Sequence, residues 1–432
     1  MNVSLHLKHL KHLVVAALGL TAAAGALAQS TIKIGEVNSY KAQPAFLEPY
    51  RRGWELAQEE INAAGGLLGK KVEIISRDDN GNPGDSVRVA EELVTREQVS
   101  LLFGGFLSNT GLALTDYAKQ RKIFFLAAEP LTDKIVWQNG NQYTYRLRPS
   151  TYMLVASLVN EAAKLKKKRW ALVYPNYEYG QSAIATFKKL MQERQPDIEF
   201  VAEQAPPLGK IDAGSVTQAL ADAKPDAIFN ALFGADLGKF VREGNTRGLF
   251  EGREVVSLLT GEPEYLDPLK NEAPVNWIVT GYPWYAIDTP EHKKFVDAYR
   301  KKFNDYPRNG SLVGYVALMS IATGIKAAGS VESDKLAAAF SGLKVATPSG
   351  PIVYRSQDHQ STRAPTWDVR HSRMVAASWS TSATSMARRC NCRMPKSRNC
   401  VRPTELVHAL QRSCAAACSA GPWSQGIKHD SL

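Results

Sequence analysis

Side chains that perform covalent, acid–base or metal chemistry are scarce in the long middle part of this sequence. Residues 31–366 contain two histidines, His292 and His359, and no cysteine. A Ser-His-Asp triad needs a histidine base, and zinc sites are built mainly from histidines and cysteines. We therefore expect neither a triad nor a metal site. His292 begins a predicted helix and is expected to face solvent, and His359 is expected to lie in a loop.

Two other stretches resemble catalytic or phosphate-binding motifs. Gly65-Gly66-Leu67-Leu68-Gly69-Lys70 is one residue shorter than a phosphate-binding loop, lacks the Ser or Thr after the lysine, and leads into a strand. We predict that it ends a helix and forms a turn. Asp78 and Asp79 end a predicted strand and could serve a glycosidase, but solvated carboxylates are the ordinary outcome there. No G-x-G-x-x-G follows the first strand, so we expect no cofactor and no enzyme activity.

A tripeptide at the start of a predicted helix has the groups needed to bind an anion. Ser108-Asn109-Thr110 follows directly after a predicted strand. Backbone N–H groups, hydroxyls and the positive end of the helix dipole would all suit a carboxylate. An ordinary helix cap has the same composition, so both interpretations stay open at this point.

The elements that position these residues repeat one unit, a short apolar strand followed by a helix. Residues 31–37 alternate like a strand, apolar residues recur at steps of three and four over 46–61, and 123–128 is apolar on both faces. This alternation predicts a parallel sheet covered by helices on both sides. A second set begins after Arg148, so we predict an α/β fold of two doubly wound parallel-sheet lobes joined by a hinge. Ligands of such sheets lie beyond the carboxyl ends of the strands, which places the site in the cleft between the lobes.

The two ends of the chain differ from its middle. The net charge is +11, but residues 368–432 hold ten Lys and Arg against three Asp and Glu, together with all five cysteines. The middle is close to neutral, so we expect no nucleic-acid partner. Residues 1–28 combine a basic start, an apolar run and a small-residue cleavage site, which predicts a secretory signal peptide rather than a membrane anchor. We interpret residues 363–432 as an aberrant tail, frameshifted or disordered, rather than as a zinc site or a nucleic-acid-binding segment.

Several motifs in residues 31–362 resemble those of periplasmic solute-binding proteins of the branched-chain amino acid ABC transporter family (leucine/isoleucine/valine-binding-protein-like). They are Gly53-Trp54-Glu55-Leu56-Ala57, Ile61-Asn62-Ala63-Ala64-Gly65-Gly66, Gly69-Lys70-Lys71-Val72, Phe103-Gly104-Gly105, Tyr179-Gly180 and Gly350-Pro351-Ile352. The resemblance implies the type I periplasmic binding fold, a Venus-flytrap with three chain crossings. With it we assign 29–148 and about 286–343 to lobe one, and 149–285 and about 344–362 to lobe two and the hinge.

The resemblance also implies which residues bind the ligand. Ala127-Ala128-Glu129 ends a strand where the family offers backbone groups and usually a threonine. Tyr179 and Phe233 lie at strand ends of lobe two, and Phe233 occupies a position that is often tyrosine. Glu262 matches the acid that pairs with a ligand ammonium, although Glu264 remains a possible alternative. Together with the helix start at 108–110, these residues would hold a zwitterion across the cleft.

Aromatic residues near the predicted cleft broaden the range of ligands. Tyr40, Phe46, Tyr282, Trp284 and Tyr285 lie in or beside the cleft-side loops, and Tyr282 is included among the ligand-binding residues because aromatic rings provide stacking and apolar contact.

The sequence thus predicts a monomeric periplasmic receptor that binds a small amino acid or related carboxylate and delivers it to an inner-membrane ABC permease. The alternatives are a ligand sensor for a signalling partner and a receptor for an aromatic carboxylate or amide.

Overall fold

The strands of the first third of the chain pair into one parallel sheet. The computed structural model describes residues 31–364 and 366–369; the predicted signal peptide and the part of the predicted tail after Val369 lie outside the described residues. The strand order is β2-β1-β3-β4-β5, and all neighbours run parallel. The strands are β1 (Ile32–Asn38), β2 (Val72–Asp78), β3 (Leu102–Gly104), β4 (Phe125–Ala127) and β5 (Thr144–Arg146).

Helices cover both faces of this sheet, and the whole unit is called lobe one. Alternate residues of β3 belong to different apolar clusters, Phe103 to the one that includes Tyr50 and Leu312, and Leu102 to the one that includes Leu93 and Leu114. This alternation is what a strand covered on both sides requires. The helices that follow the first strands are α1 (Pro44–Ala63), α2 (Pro83–Thr95) and α3 (Ser108–Arg121).

A second set of strands forms the sheet of lobe two. Its order is β13-β10-β9-β8-β6-β7, and only β13 at the edge is antiparallel among these described strands. The strands are β6 (Arg169–Val173), β7 (Glu199–Gln204), β8 (Ala227–Asn230), β9 (Glu254–Gly261), β10 (Ile278–Gly281) and β13 (Thr366–Val369). The helices are α4 (Thr151–Lys164), α5 (Glu178–Arg194), α6 (Ala213–Asp222), α7 (Gly234–Thr246) and the short α8 (Pro263–Leu266). Two lobes of the predicted α/β type are therefore present.

Three further helices follow lobe two in the chain and bring it back to lobe one. They are α9 (Pro290–Phe303), α10 (Asn309–Ala328) and α11 (Ser333–Phe340). Helix α10 lies against α1, and glycines on both helices allow close approach, since a Cβ on Gly53 would lie 2.0 Å from the Ser311 carbonyl oxygen. By length and composition α10 could span a membrane, but 67% of its apolar window is buried inside the protein, which identifies it as a core helix.

The last described segment connects both lobes at the hinge. A short hairpin, β11 (Lys344–Val345) with β12 (Ile352–Val353), precedes it. The Arg146 N–H then donates to the His359 carbonyl and the Ser361 N–H to the Arg146 carbonyl, so this stretch pairs with lobe one, whereas the sequence analysis assigned it to lobe two and the hinge. β13 then joins the lobe-two sheet within the stretch assigned to the tail.

The structure corrects two expectations about surface groups. His292 is 1% exposed, not solvent-facing, because its Nε2 lies 2.6 Å from the Tyr282 hydroxyl under the 282–289 loop. Asp79 is also fully buried, since it accepts hydrogen bonds from Ser39 and Ser86 instead of from water. Two other predictions are confirmed: Gly66 closes the end of α1 by donating to the Ile61 carbonyl, and His359 lies in a loop.

Candidate ligand-binding site in the interlobe cleft

The two lobes meet along the carboxyl ends of their strands and touch across the cleft. Thr132 Oγ1 of lobe one donates a hydrogen bond to Glu178 Oε1 of lobe two at 2.7 Å, and Lys134 Nζ lies 2.9 Å from Glu178 Oε2. Phe106 after β3 faces Phe233 after β8, with ring centroids 6.2 Å apart. The structure therefore shows the closed form of the cleft.

Aromatic side chains from both lobes line the cleft. Phe46 and Phe106 of lobe one have ring centroids 5.1 Å apart. On the facing side, Phe233 contacts Tyr179 at 5.7 Å and Tyr265 at 6.3 Å. The aromatic cluster, as we call these five residues, offers edges and faces for a flat or apolar ligand group. The Tyr179 hydroxyl is buried and has no hydrogen-bond partner among the described residues.

A buried ion pair crosses the cleft beside the aromatic cluster. Arg148 Nη2 lies 2.6 Å from Glu262 Oε1, and the two residues are 4% and 2% exposed. Asn309 Nδ2 donates to the same Glu262 oxygen at 2.7 Å, and the Arg148 guanidinium stacks on Phe46 at 5.0 Å. Burial raises the pKa of Glu262, while the Arg148 charge lowers it. Within the described chain, Arg148 Nε and Glu262 Oε2 have no hydrogen-bond partner, so each can serve a ligand.

Two buried carboxyl groups form the lobe-one wall of the site. Asn38 Nδ2 joins them by donating to Glu36 Oε1 at 2.7 Å and to Glu129 Oε1 at 3.2 Å. Burial is the main cause that raises the pKa of Glu36 to about 7 and of Glu129 to about 8, and their mutual repulsion raises that of Glu129 further. Glu129 Oε2 is buried without a hydrogen-bond partner in the described region. A protonated Glu129 can thus donate a hydrogen bond to a ligand oxygen.

A cavity lies at the hinge end of the cleft, where the crossing segments meet. We call it the hinge cavity; it measures about 40 Å³, and Arg148, Glu262, Tyr282, Asn309 and Arg363 are among the residues that line it. Arg363 Nη2 donates to Asn309 Oδ1 at 3.2 Å, and its Nε is buried without a partner in the described structure. The polar atoms at this end of the cleft therefore exceed the partners that the protein supplies.

Comparison with known proteins identifies the family. A family model described as "Periplasmic binding protein" matches residues 31–370. The chain belongs to the periplasmic binding protein family. The curated "Leu/Ile/Val-binding protein homolog 7" of Brucella melitensis biotype 1 is similar to this periplasmic binding protein, with 26% identity over 375 residues, 82% of this chain and 92% of the relative.

Solved structures show the same fold. A solute-binding protein of an ABC transporter from Rhodopseudomonas palustris BisB5, in complex with 3,4-dihydroxybenzoic acid, matches with a TM-score of 0.70, 26% identity and coverage of 78% of this chain and 93% of that chain. LivJ from Streptococcus pneumoniae, in complex with isoleucine, matches with a TM-score of 0.70, 22% identity and coverage of 79% and 97%. The predicted resemblance to the branched-chain amino acid class and the predicted type I fold are confirmed.

At the start of α3 of this periplasmic binding protein, fewer side-chain groups are available to a ligand than the sequence suggests. The helix begins at Ser108, as predicted. Ser108 Oγ, however, accepts a hydrogen bond from the Thr132 N–H, and Thr110 Oγ1 donates to the Leu107 carbonyl. Among the three side chains, Asn109 Oδ1 is the buried atom without a partner in the described chain. The role of 108–110 in ligand binding remains a prediction.

The remaining predicted residues fall into three groups. Glu129, Tyr179, Phe233 and Glu262 lie around Arg148: its charge acts on the pKa values of Glu129, Tyr179 and Glu262, and Phe233 contacts Tyr179. The backbone of Ala127 and Ala128 is occupied by the sheet, because Ala128 donates to Gly104 and Leu147 donates to Ala127. Tyr282 lines the hinge cavity and bonds to His292.

Sequence reasoning missed the charged and polar residues that organise the site. Arg148 lies two residues after the buried strand β5, Asn309 opens an apolar helix, and Glu36 interrupts the first strand. A charged or amide side chain in an otherwise buried position was the available signal, because such groups are seldom buried without a partner. For metal ions, no group of three or more His, Cys, Asp or Glu side chains suited to a metal was found in residues 31–364 and 366–369.

Proposed function

We propose that the protein is the periplasmic solute-binding component of an ABC importer. It binds a small amino acid or related carboxylate in the interlobe cleft, as a monomer, and delivers it to an inner-membrane permease without changing it chemically. The names of the relatives support this, since they are leucine/isoleucine/valine-binding homologues and ABC transporter solute-binding proteins. The observation that carries the proposal is a set of buried polar atoms inside the closed cleft that have no partner among residues 31–364 and 366–369, namely Arg148 Nε, Glu262 Oε2 and Tyr179 OH.

The closed cleft explains how a ligand would drive closure. Each buried polar atom that lacks a hydrogen bond costs about 1–3 kcal/mol. A ligand that supplies partners to atoms on both lobes removes this cost only in the closed form. Binding therefore shifts the population from open to closed, and the hinge segments carry the motion. The permease would then bind the closed form of the protein, in which the site is occupied by ligand.

Two ligand classes are compatible with the ion pair, and Glu262 would have a different role with each. With an amino acid, Glu262 Oε2 accepts from the ligand ammonium, as the family resemblance implies. With an aromatic carboxylate, Glu262 instead holds Arg148 in place, and the guanidinium binds the acid. The aromatic cluster and the cleft arginine favour the second class, and the 26%-identical relative was solved with 3,4-dihydroxybenzoic acid.

Calorimetric titration of the full chain tests the proposal. The panel contains L-leucine, L-isoleucine, benzoate and 3,4-dihydroxybenzoate, with the product of each incubation examined by mass spectrometry. We expect at least one acid to bind with a micromolar or lower dissociation constant, which corresponds to a binding free energy on the order of −8 kcal/mol. We also expect mass spectrometry to recover the ligand unchanged. Absence of binding across the panel would contradict a small-carboxylate receptor, and conversion of a ligand would contradict a transport role.

A further inference from the structure

We infer that Arg363 and Arg148 together form the carboxylate subsite, so that the acid group of the ligand lies in the hinge cavity and not at the start of α3. The inference rests on the proposed function and names the groups that recognise the acid. It gives a ligand-binding role to Arg363, which stands on the last crossing between the lobes and for which the sequence analysis predicted none.

The contents of the hinge cavity support an anionic occupant. Its volume of about 40 Å³ suits a carboxylate group, since a single water needs roughly 10–15 Å³ by the same measure. Arg148 Nε and Arg363 Nε are buried donors without partners in the described structure. A carboxylate has two acceptor oxygens and can take a hydrogen bond from each guanidinium.

The charges around the hinge cavity also favour an anionic occupant. Two guanidinium groups face Glu262, and the nearby carboxyl groups of Glu129 and Glu264, whose pKa values burial raises to about 8, are largely protonated at neutral pH, which leaves an excess positive charge. His292 behind Tyr282 does not add to it at neutral pH, because burial lowers its pKa to about 4. Burial and the nearby Arg148 lower the pKa of Arg363 to about 10, so Arg363 still carries its charge. A half-buried cation such as Arg363 loses part of its hydration, and the carboxylate of a ligand would compensate for that loss.

The hinge cavity and the aromatic cluster belong to one site because they share Arg148. Its guanidinium stacks on Phe46 of the cluster and also lines the cavity. One ligand molecule can therefore place its apolar or aromatic part in the cluster and its carboxylate in the cavity. The start of α3 is a weaker candidate for the carboxylate, because residues 108–110 include no cationic side chain and Thr110 Oγ1 already donates its proton to the Leu107 carbonyl.

The position of Arg363 links recognition of the acid to closure. Arg148 follows β5 of lobe one, Glu262 follows β9 of lobe two, and Arg363 lies between Ser361, which pairs with β5, and β13 of the lobe-two sheet. The carboxylate would thus contact two of the crossings at once. Its binding orders the hinge directly, in addition to bridging the faces of the cleft.

The test compares each acid with the corresponding primary amide, in which an uncharged group replaces the carboxylate, in the wild type and three variants. The probes are benzoate with benzamide and L-leucine with L-leucinamide, measured by calorimetric titration of the full chain. Arg363→Gln should weaken binding of the acid that the wild type prefers by about 10- to 100-fold, the worth of a charge-assisted hydrogen bond, and change amide binding little. Arg363→Lys should recover part of the loss. Arg355→Gln is the matched control, since Arg355 pairs with Asp358 in the same segment, and should behave as wild type.

An unchanged acid-to-amide ratio in Arg363→Gln would overturn the inference while leaving the proposed function intact. Failure of the wild type to bind any acid of the four-compound panel would overturn the proposed function and with it the subsite. If Arg363→Gln does not fold, as judged by circular dichroism, a crystal structure of the wild type with benzoate or L-leucine decides. A carboxylate within about 3 Å of Arg363 supports the inference, and a carboxylate at the start of α3 overturns it.

Discussion

Arg148 is the residue on which the proposed site depends, and its buried ion pair with Glu262 is expected to add little to the stability of the fold. An ion pair this deeply buried loses as much by desolvation as it gains by attraction, and a pair of apolar side chains would often stabilise a fold equally well. Arg148 also keeps an unpartnered Nε among the described residues. These two facts are explained together if the guanidinium is retained for a ligand that supplies the missing acceptor.

The carboxyl pair of Glu36 and Glu129 should make stability depend on pH. Their pKa values are raised to about 7 and about 8 in the folded protein, mainly by burial, whereas an unfolded glutamate titrates near 4.3. Between these values the folded state binds more protons than the unfolded state, so the free energy of unfolding falls as pH rises. We expect a decrease of up to about 1.4 kcal/mol per pH unit for each group between pH 5 and 7, measured by urea denaturation.

The substitution Glu129→Gln isolates this effect. It removes the titrating group with the higher pKa, so the pH dependence between pH 5 and 7 should flatten by about half. Glu332→Gln is the control, because Glu332 lies on the surface in an ion pair with Lys335. A Glu129→Gln variant with the full wild-type slope would show that other groups cause the pH dependence.

At the scale of elements, the contact between α1 and α10 relies on glycine. A Cβ on Gly314 would lie 2.1 Å from the Tyr50 carbonyl oxygen, and neither backbone can move without separating the helices. We expect Gly314→Ala to lower the free energy of unfolding by about 1–3 kcal/mol, as overpacking does, measured by urea denaturation.

Gly238→Ala in α7 is the matched control for this prediction. Its added Cβ would meet only the Arg242 side chain at 3.5 Å, an ordinary contact. Because alanine favours the helix more than glycine, we expect this variant to be as stable as wild type or slightly more so. Equal effects of the two substitutions would show that the helix contact is looser than the structure indicates.

Elements were easier to predict from the sequence than the site. Apolar strands such as Ile123–Ala128 and the stepped apolar residues of α1 follow from local periodicity, which a single sequence displays. Arg148 could not be placed in the same way, because its partner Glu262 is 114 positions further along the chain, and Asn309, which bonds to the same carboxylate, is 161 positions further along. His292 shows the same limit, since a polar helix start gave no sign that the 282–289 loop would cover it.

The whole molecule works through the balance between its open and closed forms. In the closed form Glu178 of lobe two contacts Thr132 and Lys134 of lobe one. These contacts involve no residue of the aromatic cluster or of the ion pair, so they hold the lobes together without being part of either. The apparent affinity should therefore depend on them through the fraction of molecules that can close.

Replacing Glu178 should weaken binding through closure alone. We expect Glu178→Ala to raise the dissociation constant of the bound acid about 3- to 10-fold, because an ion pair with a hydrogen bond at a partly exposed site is worth on the order of 1 kcal/mol. If the ligand-free wild type is partly closed, small-angle scattering should give the ligand-free variant a larger radius of gyration than the wild type. Glu193→Ala, on the exposed end of the same helix, is the control and should bind as wild type does. Unchanged affinity in Glu178→Ala would mean that the ligand and the hinge hold the closed form without this contact.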